Sequence, residues 1–153
     1  MVAPFTSPPA LQTIGPQIHA GAAAWIAHYN AQGGHRGRPV QLLVRDGGYD
    51  VVITAAAIRK FVEQDKVIAL LSSNGTPQLK AAMPYVQAHR LPVLLPFAGD
   101  DDWFHLPQWG VFGVQAPFND ISYLLGRWAA LAGHSRVTVL HPHYPEISPR
   151  LAP

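Results

Sequence analysis

The segment best suited to chemistry is the turn Ser73–Asn74–Gly75–Thr76, which separates an apolar run from a helical pattern. Thr76 followed by Pro77 favours a helix start, because a hydroxyl residue can cap a helix and proline fits its first turn. The first N–H groups of a helix carry partial positive charge, and the Thr76 hydroxyl adds another donor. Such a turn has donors that suit an incoming carboxylate. The alternative is that Thr76 only caps its own helix.

A run of three carboxylates, Asp100–Asp101–Asp102, follows the next apolar segment and is a candidate for binding a cation. Hard metal ions need several oxygen ligands at a defined spacing, and no such set accompanies the run. A solvated loop is the ordinary interpretation of this pattern. His141 and His143 flank Pro142, which turns the two rings apart and does not favour zinc. We expect no metal ion.

No constellation of catalytic residues stands out in the sequence. It contains no Gly-Xaa-Ser-Xaa-Gly turn, no glycine-rich phosphate loop with a lysine, and no cysteine. The glycines at 33, 34 and 37 follow a helical pattern rather than open one, which argues against a bound dinucleotide. We expect a protein that binds without a cofactor and is not an enzyme.

The composition is that of a folded globular domain. Of the 153 residues, 48% are hydrophobic and 13% are charged, which predicts a real core. The net charge of +2 comes from scattered residues and gives no support to nucleic acid binding. No apolar run approaches the length needed to span a membrane, and Val67–Leu71 has the length of a strand. The first residues lack the pattern of a secretion signal, so export would require a signal outside this sequence.

Periodic apolar residues predict helices and strands in alternation. The predicted helices are 15–32, 51–62 with Asp50 as its cap, a third from Thr76 through Val86, and 121–131 ended by Gly133. The predicted strands are 40–44, 67–71, 92–95, 111–114 and 137–140, with an irregular stretch at 96–108. Such alternation implies parallel strands with right-handed crossovers, hence a three-layer α/β sandwich.

Ordered blocks of the sequence resemble the first lobe of type I periplasmic binding proteins of the leucine/isoleucine/valine-binding family. Each block is weak alone, but their order covers nearly the whole chain. The blocks are Ala20–Ala22 with Tyr29–Gly34, Gly37–Val40, Arg45–Asp50, Glu63–Val67, Asn74–Pro77, Leu91–Val93, Pro96–Gly99, Val111–Phe112 and Ser135–Leu140.

This resemblance implies a Rossmann-like lobe over residues 1–134 with a truncated first strand, and a hinge crossing into an incomplete second lobe over 135–153. It assigns carboxylate binding to Ser73, Asn74, Gly75 and Thr76. It also implies contacts from Phe97–Ala98–Gly99, where Ala98 replaces a hydroxyl residue and Phe97 could equally be core packing. Ile14 and Tyr144 are further candidates, although Ile14 could also belong to the core.

The resemblance further implies a function in solute uptake. The chain would bind a small amino acid-like ligand and present it to an ABC transporter permease, in the periplasm or outside the cell. Two alternatives remain: an extracellular sensory domain of the same fold, and a truncated product without activity.

Overall fold

The computed structural model describes residues 1–6, 9, 12–105 and 109–140. Five short strands alternate with five helices along this part of the chain. In order they are β1 (Val2–Ala3), α1 (Ile14–Ala31), β2 (Arg45–Asp46), α2 (Val51–Glu63), β3 (Leu70–Leu71), α3 (Thr76–Ala88), β4 (Val93–Leu94), α4 (Asp102–His105), β5 (Val111–Phe112) and α5 (Phe118–Leu131).

All strand pairs are parallel, as the alternation of strands and helices predicts. β1 pairs with β2, and β4 lies between β3 and β5. The two sets meet where the Asn74 N–H donates to the Val2 carbonyl at 3.0 Å, so the strands follow one another as β2, β1, β3, β4, β5. The predicted α/β fold is confirmed. The chain leaves β1 toward β2 and later returns to the opposite side at β3, which makes the β1–β3 boundary a topological switch point.

The core lies between α2, α3 and the strands, because these two helices have well-defined apolar stripes. Its fully buried side chains include Ile58, Phe61, Leu70, Leu79 and Val93. Asp50 caps α2 as predicted, its carboxylate accepting the Ile53 N–H at 2.8 Å. The buried Leu79 side chain packs the start of α3 into the same core.

Two predicted strands are wrong. Residues 40–44 form no strand, because the Asn30 side chain hydrogen-bonds both the N–H and the carbonyl of Val40, each at 2.8 Å. Only Arg45 and Asp46, which form β2, pair with β1. Residues 137–140 have no regular secondary structure, and Val137, Val139 and Leu140 are exposed. Conversely, the stretch predicted to be irregular contains α4.

The helix α5 packs little against the rest of the described chain. Its apolar stripe follows the predicted spacing, yet Leu124, Leu125, Trp128 and Leu131 are each at least 60% exposed. Of the α5 residues, only Ala129 is buried by the described part of the chain. The helical pattern was therefore sufficient to predict α5 but not its packing.

The Met1 ammonium group gives the fold a dependence on pH. It donates to the Leu43 carbonyl at 2.9 Å, and burial lowers its pKa from 8.0 to about 6. The unfolded chain keeps the ordinary pKa and binds more protons between pH 6 and 8. The free energy of unfolding should therefore rise as the pH increases through this window, by up to about 2–3 kcal/mol, and fall again on acidification. Thermal unfolding at pH 6, 7 and 8 tests this, and an N-terminally acetylated chain should lose that share of the dependence.

Candidate functional site

The candidate site lies at the carboxyl ends of β3 and β4, beside the switch point. Two predicted segments meet there directly: the Phe97 N–H donates to the Ser73 carbonyl at 3.0 Å, and the Asn74 side-chain amide donates to the Phe97 carbonyl at 3.2 Å. The Gly75 N–H reaches the same carbonyl at 3.4 Å. The structure thus brings 73–76 and 97–99 together, although they are separate in sequence.

The start of α3 differs from the sequence prediction in one respect. The residue at the N-cap is Gly75, with φ +112°, and no side chain supplies a capping hydrogen bond. The Gly75 carbonyl already accepts the Leu79 N–H at 3.0 Å, so Thr76 is the first helical residue and its hydroxyl comes one position too late to cap. The prediction that Thr76 caps the helix is wrong.

The first turn of α3 therefore retains unpaired donors. Within the described residues, the backbone N–H groups of Thr76 and Gln78 donate to no backbone carbonyl, and these two residues are 6% and 3% exposed. Pro77 between them has no N–H. Donors of this kind at a helix start favour an anionic group, because the aligned peptide dipoles add partial positive charge.

The segment 97–99 contributes backbone and one aromatic side chain. Phe97 is 40% exposed, whereas Ala98 is fully buried. Gly99 accepts the Phe118 N–H at 3.0 Å, and a Cβ at this position would lie 2.7 Å from the Phe118 ring. The segment is consequently fixed from both sides, by the 73–76 turn and by the start of α5.

The remaining predicted site residues occupy different surroundings. Ser73 is fully buried, and its hydroxyl accepts the Val2 N–H at 3.1 Å, so this side chain joins β1 to β3. Ile14 is half-buried at the start of α1, where the adjacent Gly15 lies against the Pro4 carbonyl. Tyr144 lies outside the described residues, as do His141 and His143.

Two residues near the turn were not found by sequence reasoning. The Gln78 side-chain amide donates to the Tyr49 carbonyl at 2.7 Å, which ties the loop after β2 to the first turn of α3. Tyr49 has φ +56°, an uncommon conformation for an aromatic residue. The only signal in the sequence was a glutamine three positions after the N-cap, where glutamine often folds back onto a helix start.

The loops after β1 and β2 are held together by Asp46. Its carboxylate accepts the Phe5 and Gly48 N–H groups, both at 2.9 Å, and the Thr6 hydroxyl. Partial burial raises the pKa of Asp46, but these hydrogen bonds together lower it by more, so the pKa lies below its usual range. Asp46 therefore remains ionised and keeps this edge of the site in place.

The Lys80 side chain forms ion pairs with two carboxylates of the acidic run 100–102. Its ammonium lies 2.8 Å from the Asp100 carboxylate, which is 5% exposed, and 3.2 Å from that of Asp102. Burial lowers the pKa of Lys80, but the hydrogen bonds and charges of the two aspartates outweigh it and raise the pKa above its usual value. Lys80 thus balances two of the three carboxylates and links α3 to the 97–102 segment. Among the described residues, no group of three or more acidic, histidine or cysteine side chains could hold a metal ion.

Replacing Lys80 with methionine should weaken this link. Asp100 would remain buried without its cation, and because Lys80 is itself one-third exposed we expect a loss of about 1–2 kcal/mol in unfolding free energy. Urea denaturation measures the change. Lys60→Met on the exposed side of α2 is the matched control and should change stability little. Equal midpoints for the two variants would show that the Lys80 ion pairs do not stabilise the fold.

Comparison with known proteins identifies what the chain is similar to. A family model described as periplasmic binding protein matches residues 1–147. No curated protein matches. A possible leucine/isoleucine/valine-binding protein from Rhodopirellula baltica has a TM-score of 0.78 at 20% identity, over 87% of this chain and 35% of that one.

Two further solved structures share the fold and are named for different ligand classes. A branched-chain amino acid transporter substrate-binding protein from Streptococcus pneumoniae, in complex with isoleucine, has a TM-score of 0.65 at 21% identity, over 76% of this chain and 32% of that one. A fatty acid ABC transporter substrate-binding protein from Thermomonospora curvata has a TM-score of 0.65 at 19% identity, over 83% and 32%. The chain spans about a third of the length of these structures, and the likeness establishes the fold. None of the described helices has both the length and the apolar character needed to cross a membrane.

Proposed function

Because the chain belongs to the periplasmic binding protein family, we propose that it is the ligand-grasping lobe of a solute-binding component of an ABC-type uptake system. Its ligand is a small amino acid-like molecule with a carboxylate. The observation that carries this proposal is the set of unpaired donors at the start of α3, next to the topological switch point.

The carboxylate is the part of the ligand for which the chain offers the most specific chemistry. The N–H groups of Thr76 and Gln78 and the Thr76 hydroxyl supply three donors in one helical turn. Charge-assisted hydrogen bonds to such donors are stronger than neutral ones. Isoleucine and fatty acids, which two of the structural neighbours bind or are named for, share this group.

The rest of the ligand would contact less specific surroundings. Phe97 is partly exposed beside the turn and offers an apolar surface, while Ala98 can contribute only backbone groups. Ser73, Asn74 and Gly75 shape the turn, and Ile14 and Tyr144 are proposed as contacts from outside it. A hydrophobic side chain next to a carboxylate fits this combination.

The remaining features of the proposal follow from family membership. Residues 1–134 would form the first lobe and 135–153 the crossing to a second lobe, which would close over the ligand. The partner would be an ABC permease in the membrane, and the place of action the periplasm or the cell exterior. Binding and release, rather than catalysis, would be the activity.

Ligand-detected NMR on the 153-residue chain tests the proposal with L-isoleucine, L-leucine, L-glutamate and hexanoate. We expect weak but saturable binding to one or more of them, because a single lobe supplies only part of the contact area. Thr76→Val keeps the shape of the side chain and removes its donor, so it should reduce the binding. Absence of saturable binding to all four carboxylates would contradict the proposed function.

A further inference from the structure

We infer that Gln78 is a positioning residue that orients the N–H groups in the first turn of α3 for a ligand carboxylate. This inference rests on the proposed function and extends it to a residue that makes its contribution through Gly75 and Tyr49. The juxtaposition of Gln78 on α3 with Gly75 and Tyr49, which lie in two separate loops, carries it.

The orientation of the Gln78 side chain is fixed by one short hydrogen bond. Gln78 is 3% exposed, and its Nε2 donates to the Tyr49 carbonyl at 2.7 Å. Because a carbonyl can only accept, the amide nitrogen must face Tyr49 and Oε1 must point the other way. This Oε1 is buried and has no partner among the described residues.

The oxygen of Gln78 rests on Gly75. A Cβ on Gly75 would lie 2.3 Å from this oxygen and 3.3 Å from Cε2 of the Tyr49 ring. Glycine is therefore the only residue that lets the amide and the ring close on the turn from one side. The φ of +112° at Gly75 is the backbone conformation that this arrangement requires.

A glutamine at this position of a helix commonly folds back to accept the N–H of the N-cap residue. Here the short bond to Tyr49 diverts the side chain, and the Gly75 N–H instead makes a long 3.4 Å contact with the Phe97 carbonyl. The turn therefore has a short hydrogen bond to the loop after β2, through Gln78, and a longer one to the segment after β4, through the Gly75 N–H. The direction of the Thr76 and Gln78 N–H groups depends on that attachment.

Two substitutions and one control test this role, with L-isoleucine and hexanoate as probes. Gln78→Met keeps the length of the side chain and removes the donor to Tyr49. We expect the affinity for both probes to fall about 5- to 10-fold, the effect of one lost hydrogen bond. Gln17→Met, at an exposed glutamine near the start of α1, should leave the affinity unchanged.

Gln78→Glu should make the affinity depend on pH, an effect that is not expected of a residue that only stabilises the fold. An ionised carboxylate cannot donate to the Tyr49 carbonyl and repels the ligand, whereas a protonated one can donate. Because Gln78 is 3% exposed, burial raises the pKa of a carboxyl at this position. With L-isoleucine as the probe, the affinity of this variant should therefore be lowest at pH 7.5 and recover toward pH 5, while wild type changes little because the L-isoleucine carboxylate stays ionised at both pH values. This comparison within one variant decides the matter if Gln78→Met does not fold.

The two proposals fail in different ways. Wild-type protein that binds neither probe, nor the other carboxylates tested, contradicts the proposed function. Wild-type protein that binds, together with Gln78→Met of unchanged affinity or Gln78→Glu without recovery at pH 5, overturns the inference on Gln78 alone.

Discussion

Gly75→Ala is expected to abolish carboxylate binding and to lower the free energy of unfolding by about 2–3 kcal/mol. A left-handed backbone with φ +112° is strained for any residue with a Cβ. The new methyl group would also lie 2.3 Å from Gln78 Oε1, so the side chain or the turn must shift. Either shift redirects the N–H groups that we propose hold the ligand. Urea denaturation and NMR titration with L-isoleucine measure the two effects.

Gly21→Ala is the matched control for this substitution. Gly21 lies within α1 with open space around its Cβ position, and its backbone is not left-handed. Alanine there should stabilise the protein by about 0.5–1 kcal/mol and leave binding intact. If Gly75→Ala behaved like Gly21→Ala in both measurements, the turn would not be the constrained element described above.

Phe61→Ala should produce the largest loss of stability, about 3–5 kcal/mol. The Phe61 ring is 1% exposed and belongs to the core cluster between α2 and the sheet, with the Arg45 guanidinium 5.0 Å from its centroid on β2. Its removal leaves a cavity that rigid strands cannot fill. The midpoint of urea denaturation reports the change.

Val52→Ala on the same helix is the control, because Val52 is 76% exposed. We expect it to change stability by less than about 0.5 kcal/mol. Similar losses in the two variants would show that α2 does not pack on the sheet through the Phe61 face.

The sequence was sufficient to predict the elements whose apolar residues are buried. α3 buries the face that its spacing predicts, with Leu79 and Val86 in the core. α2 is predicted as a helix, but its buried face centres on Ile58 and Phe61, whereas Val51 at its start is exposed. Residues 40–44 looked like a strand by composition, but a side chain of α1 ten residues away decides their pairing. Apolar residues alone carry no information about such a contact.

The proximity of the two candidate segments was predictable, but the details of their contacts were not. The turn 73–76 and the segment 97–99 follow strands, and the carboxyl ends of parallel strands meet at one edge, so their proximity follows from the fold. Gly75 rather than Thr76 begins α3 because of a backbone conformation that the sequence leaves open. Tyr49 and Gln78 are 29 residues apart, and only the packing of α2 against α3 brings them together.

The most direct test of the account is to observe the amides of the α3 turn in a ¹⁵N-labelled chain during titration with L-isoleucine and with L-isoleucinamide. The two molecules share a side chain and an amine, but only the first has a carboxylate. We predict that the Thr76 and Gln78 amide resonances shift in a saturable manner with L-isoleucine and far less with the amide. Equal shifts with both molecules, or binding of L-isoleucine that leaves these two resonances unchanged, would contradict carboxylate binding at the first turn of α3.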